Sequence, residues 1–280
     1  MSQLRGVCMV LDDVNRAILV SAGEEDEFFS KIYYSSNESL KDLFGSFSVK
    51  DKDVLTVLAS SDQLFYAYDN GARKVDTFDV NCLTKYYYYL RRWTILYNKQ
   101  YYPSKNIFHS HKDLYLLLDK VECHGKSEED ALYFWKNYLS KVTPIEHELL
   151  YFIDGSRNSM KSTKSLRERL MQEDFTFYNM NLFGDIDCSR KYDVIITSNI
   201  LEYAWNSTLL RKCKDNLKSL LRDGGQIISS HFVFYPGTSN FLQELQIFDE
   251  DFEYSEFKSY QEPFGKKKYP LGYSYTKKKM

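Results

Sequence analysis

Residues 52–81 read KDVLTVLASSDQLFYAYDNGARKVDTFDVN, and this stretch decides the fold. Residues 54–58 are apolar and rich in β-branched side chains, as in a buried strand. Residues 63–70 can form a helix, and residues 74–78 are a second strand that stops at Asp79. Two short strands joined through one helix are typical of a βαβ unit, so the stretch predicts a parallel sheet.

The turn at residues 59–62 separates the first strand from the helix, and Gly71 is placed to end that helix. A helix that starts directly after a strand presents free backbone N–H groups at the turn. Asp79 stands at the tip of the second strand, where βαβ units of this kind hold a nucleoside ribose.

The second half of the chain continues the alternation of strands and helices. Residues 192–198 form an almost continuous apolar run, as expected for a strand that is covered on both faces. The other predicted elements are a strand at 175–179, a helix at 207–221, a turn with a C-cap glycine at 222–225, a strand at 226–232, a helix at 240–248 and an antiparallel pair at 252–257 and 269–276.

The predicted fold is therefore α/β, a doubly wound and mostly parallel sheet with an antiparallel end. Residues 98–172 exceed what a crossover needs, and KDLYLLLDKV, EEDALYFWKNYLSKV and HELLYFI within them have amphipathic helical patterns. We expect a helical insertion there that serves as a substrate cap, and a sheet domain made of residues 51–97 and 173–280. Residues 1–50 form an N-terminal segment, in which 1–30 fit either a helix or a hairpin.

Three stretches carry a resemblance to a known family. They are VLTVLASSDQLF with VDTFDVN, SNILEY at residues 198–203, and LLRDGGQIISSHF at residues 220–232. Over roughly residues 30–235 the chain resembles the class I S-adenosylmethionine-dependent methyltransferases. The first two stretches more narrowly resemble bacterial proteins related to the 3-amino-3-carboxypropyl transferases of betaine-lipid synthesis. The resemblance implies a Rossmann-like sheet and S-adenosyl-L-methionine as the cofactor.

The first turn departs from the family pattern. Where methyltransferases have G-x-G-x-G, this chain has Leu58, Ser60 and Asp62. Serine hydroxyls and the Asp62 carboxylate can instead bind the amino-acid end of the cofactor, because an α-ammonium group favours a carboxylate partner.

The resemblance also implies a cofactor site spread over several segments, with an N-terminal segment that partly covers it. The candidate residues are Tyr34, Ser35, Asn37, Ala59, Ser60, Ser61, Asp62, Asp79, Val80, Asn81, Asn181, Leu182 and Ser198. Two groups of them have an ordinary structural explanation as well. Residues 34–37 fit a helix N-cap, and residues 181–182 fit a turn after a strand.

The SNILEY loop follows a central strand at its carboxyl end, the edge where doubly wound sheets place their chemistry. Asn199, Glu202 and Tyr203 are suited to orienting a nucleophile or accepting its proton, so we predict that they are catalytic. A structural role for Tyr203 is equally open.

Composition and charge argue against several classes of protein. A net charge of −2 gives no field that attracts nucleic acid or an anionic membrane. The five cysteines are widely spaced, and His109 and His111 lack a third ligand, so we expect neither a disulfide framework nor a metal site.

The basic residues at 157–169 either hold an anionic substrate or form a solvated helix face. The sequence shows no signal peptide and no membrane span, so we expect a cytoplasmic protein.

These observations favour an S-adenosylmethionine-dependent transferase, with methyl transfer to an unknown small-molecule or lipid-like acceptor as the first hypothesis. A 3-amino-3-carboxypropyl transferase that uses the same cofactor is the first alternative. A non-catalytic S-adenosylmethionine-binding protein is the second. A nicotinamide-dependent oxidoreductase is disfavoured because G-x-G-x-x-G is missing.

Overall fold

The computed structural model describes residues 2–24, 32–33, 36, 38, 40–98, 111–142, 149–151, 163–172, 176–230, 239–257, 259–261, 268–270 and 272–279. The chain forms two compact units. The first comprises Met1–Asn37, Leu58–Ser61 and Val80–Asp174, and the second comprises Glu38–Val57, Asp62–Asp79 and Phe175–Met280.

The secondary structure alternates between helices and strands along the chain. The described helices are α1 (Ser2–Ser21), α2 (Leu40–Phe44), α3 (Asp62–Asp69), α4 (Thr84–Asn98), α5 (His111–Leu118), α6 (Lys126–Lys141), α7 (Lys164–Gln172), α8 (Ser207–Leu220) and α9 (Ser239–Asp249). The described strands are β1 (Ile32–Tyr33), β2 (Asp53–Val57), β3 (Lys74–Asp79), β4 (Leu150–Tyr151), β5 (Thr176–Asn179), β6 (Tyr192–Ser198), β7 (Leu221–Ser230), β8 (Phe252–Glu256), β9 (Ser259–Gln261), β10 (Lys268–Pro270) and β11 (Gly272–Lys277). A short 3-10 helix, Ile200–Tyr203, follows β6.

The second unit is built on a seven-stranded sheet in the order β5-β3-β2-β6-β7-β11-β8. The first five strands are parallel, and β11 runs antiparallel to both of its neighbours. This order follows the dinucleotide-binding arrangement through its first five positions and differs only where β11 inserts between β7 and β8. The predicted fold class, α/β with a mostly parallel sheet and an antiparallel end, is confirmed.

The central strands are covered on both faces. Every residue of β2 is buried, and Leu55 lies between Asp76 of β3 and Ile195 of β6. None of these three side chains exposes any surface. Parallel strands in this position need apolar residues without alternation, which explains the continuous apolar runs of the sequence.

Gly71 terminates helix α3, as its place in the sequence predicts. Its backbone is left-handed at φ +81°, its N–H donates to the Tyr68 carbonyl at 3.0 Å, and the N–H of Ala72 donates to the Ala67 carbonyl at 3.0 Å. This pair of bonds satisfies carbonyls that a helix end would otherwise leave open. The chain can then turn directly into β3, which completes the predicted βαβ unit.

Charged side chains join the amino ends of three parallel strands. Asp53 of β2 accepts from Arg73 at 2.8 Å and from Arg222 of β7 at 2.7 Å, and Arg222 also reaches Asp193 of β6 at 2.7 Å. The Arg73 guanidinium, assisted by Arg222, holds the pKa of Asp53 well below its usual range. The carboxylate therefore stays ionised and bridges neighbouring strands.

The prediction of a glycine-capped helix end at residues 222–225 is wrong. Helix α8 ends at Leu220 and β7 begins at the next residue, earlier than the predicted start at residue 226. Residues 222–225 bulge out of the ladder between β6 and β7. Gly224 in this bulge is left-handed at φ +75°, so the glycine turn forms within the strand and not at the helix end.

The first unit is mainly helical and has an aromatic core. Tyr86 of α4 stacks on Phe134 of α6 with ring centroids 3.9 Å apart, and Trp135 donates to the Tyr86 carbonyl at 2.9 Å. Arg92 forms a buried ion pair with Glu128, which joins the same two helices. The N-terminal residues form helix α1 rather than a hairpin. No helix in the described part of the chain is both long and apolar enough to cross a bilayer.

The helical prediction for HELLYFI is wrong where the structure describes it. Leu150–Tyr151 is a strand, β4, parallel to β1, and the N–H of Ile32 donates to the Leu149 carbonyl at 3.0 Å. Backbone pairing with a distant segment overrides an amphipathic pattern too short to distinguish a strand from a helix. The division into an N-terminal segment, a sheet domain and an inserted substrate cap stays a prediction.

Gly71→Ala should lower the free energy of unfolding by about 1 kcal/mol, because an L side chain is strained at φ +81°. The matched control is Gly125→Ala before α6, where the backbone is extended at φ 177° and no atom lies within 4 Å of an added Cβ. Urea unfolding of both variants tests the prediction. Equal stability of the two variants would contradict it.

Candidate functional site

The carboxyl ends of β2 and β6 mark the place where the strand order of the second unit reverses. From β2 the sheet continues to β3 and β5 on one side, and from β6 it continues to β7 on the other. The connections leave in opposite directions at such a point, so a crevice forms there, and doubly wound proteins bind ligands in it.

Glu38 joins three elements of the second unit at this edge. Ser198, the last residue of β6, and Ser230, the last residue of β7, donate hydroxyl hydrogen bonds to its Oε1. Gln63 of α3 donates to its Oε2 through Nε2 at 3.0 Å. One carboxylate thus bridges the ends of two parallel strands and the first turn of a helix.

The surroundings of Glu38 disfavour its negative charge. Burial raises the pKa of Glu38, hydrogen bonds from Ser198, Ser230 and Gln63 partly oppose that effect, and the nearby Asp62 carboxylate raises the pKa further. Asp62, the first residue of α3, has no exposed surface. Two neighbouring carboxylates favour the binding of a cation or of a proton.

Ser198 adopts a left-handed backbone conformation at φ +55° where β6 ends. Besides the hydroxyl bond to Glu38, its carbonyl accepts from Ser229 Oγ at 2.8 Å. A non-glycine residue in this region costs on the order of 1–3 kcal/mol and persists only where the surrounding contacts enforce it. Such strain is concentrated at functional sites, which agrees with the position of Ser198.

The 3-10 helix Ile200–Tyr203 carries most of the predicted catalytic residues. Asn199 precedes it, Asn199 and Glu202 are half-buried, and Tyr203 is 38% exposed. Trp205, two residues further on, is 81% exposed. The loop therefore offers polar groups next to an exposed aromatic surface.

Glu244 of α9 is a second buried acid of this unit. Burial raises the pKa of Glu244 to about 7, against the opposing hydrogen bonds from Tyr275 and Tyr273, and Glu202 raises it further. The Tyr275 hydroxyl donates to Glu244 Oε1 at 2.7 Å. A core carboxylate is thus electrostatically coupled to the candidate catalytic loop.

Asp79 lies at the end of β3, beside the end of β5. Its carbonyl accepts from the Met180 N–H at 3.0 Å and from Asn179 Nδ2 at 3.0 Å. The Asp79 side chain is nearly buried. The structure therefore brings Asp79 together with the segment that follows β5, as the sequence-based site requires.

The two residues predicted after β5 differ in their exposure. Asn181 is exposed, and its Oδ1 accepts from the Phe183 N–H at 3.0 Å, which closes a local turn. Leu182 is buried, and its carbonyl accepts from Asn216 of α8 at 2.9 Å. The turn accounts for the amide oxygen of Asn181 and leaves its nitrogen for an outside acceptor.

The turn Leu58–Ser61 belongs to the first unit and is tightly wound. Ala59 has φ +40° and Ser61 has φ +68°, and the Ser61 N–H donates to the Leu58 carbonyl at 2.5 Å. The fully buried Arg91 donates a hydrogen bond to the Ser60 carbonyl. The backbone thus follows a path that favours glycine although the sequence has none there.

Val80 and Asn81, also in the first unit, follow β3 in sequence. Val80 is 44% exposed, and Asn81 is buried. The side-chain oxygen of Asn81 accepts from the Leu83 N–H at 3.0 Å, and its carbonyl accepts from the Thr84 hydroxyl at 2.8 Å. These two hydrogen bonds of Asn81 stabilise the start of α4.

Several predicted features lie outside the described residues. Tyr34, Ser35 and Asn37 are among them, as are His109 and the first part of the basic stretch 157–169. Within the described residues, no group of three or more histidine, cysteine and acidic side chains is arranged to hold a metal ion.

A cleft of about 340 Å³ lies at the amino-end edge of the strands, lined by Arg73, Asp193 and the bulge at residues 223–225. Arg73 is paired with Asp53 there, and Arg222 is paired with both Asp53 and Asp193. The ion pairs account for these charges, so the carboxyl-end edge remains the candidate site.

Sequence reasoning missed Glu38, Gln63 and Ser230. Glu38 stands one residue after the predicted contact Asn37, and Gln63 follows Asp62. Their proximity to Ser198 depends on non-local pairing between strands, and no sequence spacing encodes that pairing. The polar ending of the strand at Ser229 and Ser230 was the available signal.

Comparisons with known proteins give structural likeness only. No protein-family model matches the sequence. No curated protein matches it either.

Several solved structures that are similar to this chain carry methyltransferase descriptions. The N-methyltransferase NodS from Bradyrhizobium japonicum, in complex with S-adenosyl-L-homocysteine, is 9% identical, with 86% of this chain and 84% of that chain covered and a TM-score of 0.41. A TehB-like SAM-dependent methyltransferase from Corynebacterium glutamicum is 11% identical. The match covers 87% of this chain and 90% of that chain, with a TM-score of 0.41. The ribosomal protein L11 methylase from Lactobacillus delbrueckii subsp. bulgaricus is 14% identical. The match covers 86% of this chain and 77% of that chain, with a TM-score of 0.39. Likeness at this level transfers no residue roles between the chains.

Ser61→Gly should raise the free energy of unfolding by about 1 kcal/mol, because it relieves a left-handed backbone and removes a buried hydroxyl that has no partner among the described residues. The control is Ala67→Gly in α3, which should lower it by about 1 kcal/mol. Urea unfolding measures both changes. A loss of stability in Ser61→Gly equal to that in the control would refute the strain.

Proposed function

We propose that this protein is an S-adenosylmethionine-dependent transferase, most simply a methyltransferase. The observation that supports it is the crevice at the reversal of the strand order, where Glu38, Asp62 and Ser198 lie at the carboxyl ends of the parallel strands. The clustered acids at this edge suit a ligand that carries a positive charge. Asp79, at the end of a nearby strand, suits a ligand that contains a nucleoside.

The residues present fit the cofactor in two respects. The Asp79 carboxylate, nearly buried at the end of β3, is suited to accept hydrogen bonds from ribose hydroxyls. Asp62, fully buried at the start of α3, is suited to pair with an α-ammonium group. When bound, the cofactor supplies a sulfonium whose attached carbons are electrophilic.

Asn199, Glu202 and Tyr203 are proposed to act on the acceptor. Their loop follows β6 and is half-exposed, so an acceptor can reach it from solvent. Asn199 would orient the nucleophile by hydrogen bonds, and Glu202 would take its proton where the nucleophile is protonated. Holding the two reactants in line is the main contribution that such a transfer needs from the protein.

Methyl transfer is favoured over transfer of the 3-amino-3-carboxypropyl group. A carboxylate that pairs with the α-ammonium would anchor the amino-acid arm, and an anchored arm leaves the methyl group as the one that moves. The buried position of Asp62 supports this arrangement. The acceptor is proposed to be a small molecule or a lipid-like compound, and the setting to be the cytoplasm, which suits widely spaced cysteines.

A non-catalytic protein that binds the same cofactor is the second candidate. The observation that favours it is the first turn, where Ala59 and Ser61 occupy left-handed conformations without glycine. Side chains at these positions limit how closely the backbone approaches a ligand. Binding without product formation would move this candidate to first place.

Asp79→Ala should weaken binding of S-adenosyl-L-homocysteine by roughly 1–3 kcal/mol, because a buried acceptor for hydroxyl groups is removed. The control is Asp187→Ala, at an exposed acid of the same unit, which should leave the affinity unchanged. Calorimetric titration of wild type and both variants provides the comparison. Equal affinity of all three proteins, or no binding by wild type at millimolar ligand, rejects the cofactor site.

The transferred group can be identified by mass. The protein is incubated with S-adenosylmethionine and a cell extract, and both nucleoside products are quantified. Enzyme-dependent S-adenosyl-L-homocysteine is the expected product and indicates methyl transfer, whereas 5′-methylthioadenosine indicates transfer of the aminocarboxypropyl group. Neither product from a protein that binds the cofactor would contradict both catalytic hypotheses.

A further inference from the structure

Two carboxylates, those of Glu38 and Asp62, lie close together at the carboxyl-end edge of the sheet. Its two carboxylate oxygens receive the Ser198 and Ser230 hydroxyls and the Gln63 amide nitrogen. Asp62 adds a second carboxylate close enough to raise the pKa of Glu38. All these residues lie in the second unit, so the cluster belongs to one compact body.

Gln63 supplies an independent sign of a missing donor. Its side chain is 2% exposed, and its Oε1 has no hydrogen-bond partner among the described residues. Because the Nε2 of the same amide donates to Glu38, the open oxygen lies beside the Glu38 carboxylate. A buried carbonyl oxygen without a donor costs roughly 1–3 kcal/mol, so a ligand that donates to it gains affinity.

The chemistry that completes this cluster is a compact cation with several N–H donors. A primary ammonium group fits, because its three hydrogens can be shared among carboxylate and amide oxygens and its charge offsets that of the two acids. A phosphate or a carboxylate would be repelled. An apolar group would leave the Gln63 oxygen unsatisfied.

We propose that Glu38, together with Gln63 Oε1 and Asp62, binds the α-ammonium group of the cofactor's amino-acid arm. This inference rests on the proposed function and extends it, since Glu38 then becomes the principal anchor of the arm and Asp62 its assistant. Ser198 and Ser230 act as positioning residues, because their hydroxyls hold the carboxylate at the ends of β6 and β7.

Binding of the ammonium group then changes the protonation of Glu38. In the free protein burial and Asp62 raise the pKa of Glu38, and a bound cation lowers it again. Binding therefore releases a proton wherever Glu38 is still protonated in the free protein, and the affinity rises with pH across that range. Asp62 is the titratable group that faces Glu38 from α3, and the contacts from β6 and β7 are neutral serine hydroxyls.

The test compares two ligands that differ by the amino-acid arm. S-adenosyl-L-homocysteine carries the α-ammonium group, whereas 5′-methylthioadenosine lacks the whole arm. Calorimetry measures the affinity of wild type and of Glu38→Gln for each ligand at mildly acidic and at neutral pH. Repeating the titrations in two buffers of different ionisation enthalpy gives the number of protons released on binding. Glu253→Gln on β8 is the matched control, because it makes the same change at an exposed acid of the same unit.

We expect Glu38→Gln to bind S-adenosyl-L-homocysteine roughly 10- to 100-fold more weakly than wild type at neutral pH. Its affinity for 5′-methylthioadenosine should be unchanged, which also shows that the variant is folded. The proton release and the pH dependence should disappear in Glu38→Gln and persist in Glu253→Gln.

Three results would overturn the inference while the proposed function stands. They are an unchanged affinity of Glu38→Gln for S-adenosyl-L-homocysteine, an equal loss of affinity for both ligands, and proton release that persists in Glu38→Gln. Wild type that binds neither ligand would instead reject the proposed function, and the inference with it.

Discussion

The position of β2 in the sheet is the constraint on which the rest of the second unit depends. β2 pairs in parallel with β3 on one side and with β6 on the other, and all five of its residues are buried. The strand order reverses between β2 and β6, so no single crossover connects these two strands. A crevice therefore forms at their carboxyl ends. Polar side chains occupy that place, and the buried ones among them cost free energy unless they are hydrogen-bonded.

The polar groups at this edge are held by one carboxylate. Glu38 gathers the terminal serines of β6 and β7 and the first turn of α3, and Ser198 adopts a left-handed backbone there. At the opposite edge the charges are matched, since Asp53 and Asp193 are paired with arginines. The two edges therefore differ in chemistry. Acids paired with arginines join the strands at one edge, and two neighbouring carboxylates, Glu38 and Asp62, lie at the other.

Local patterns predicted most of the second unit. The patterns of β2, β3 and β6 and the position of Gly71 are encoded within a few residues, and the structure confirms these elements. The errors at residues 222–225 and at Leu150–Tyr151 arise where pairing with a strand distant in sequence decides the local conformation. Glu38 was missed for the same reason, because its partners come from strands far along the chain. The assignments at Asp79 and in the Asn199–Tyr203 loop stay predictions.

The most direct measurement is a crystal structure of the protein with S-adenosyl-L-homocysteine bound. The account predicts the ribose beside Asp79 at the end of β3 and the amino group within hydrogen-bond distance of Glu38 and of Gln63 Oε1. Density for the ligand at the amino-end edge of the sheet, or an amino group directed away from Glu38, would contradict it.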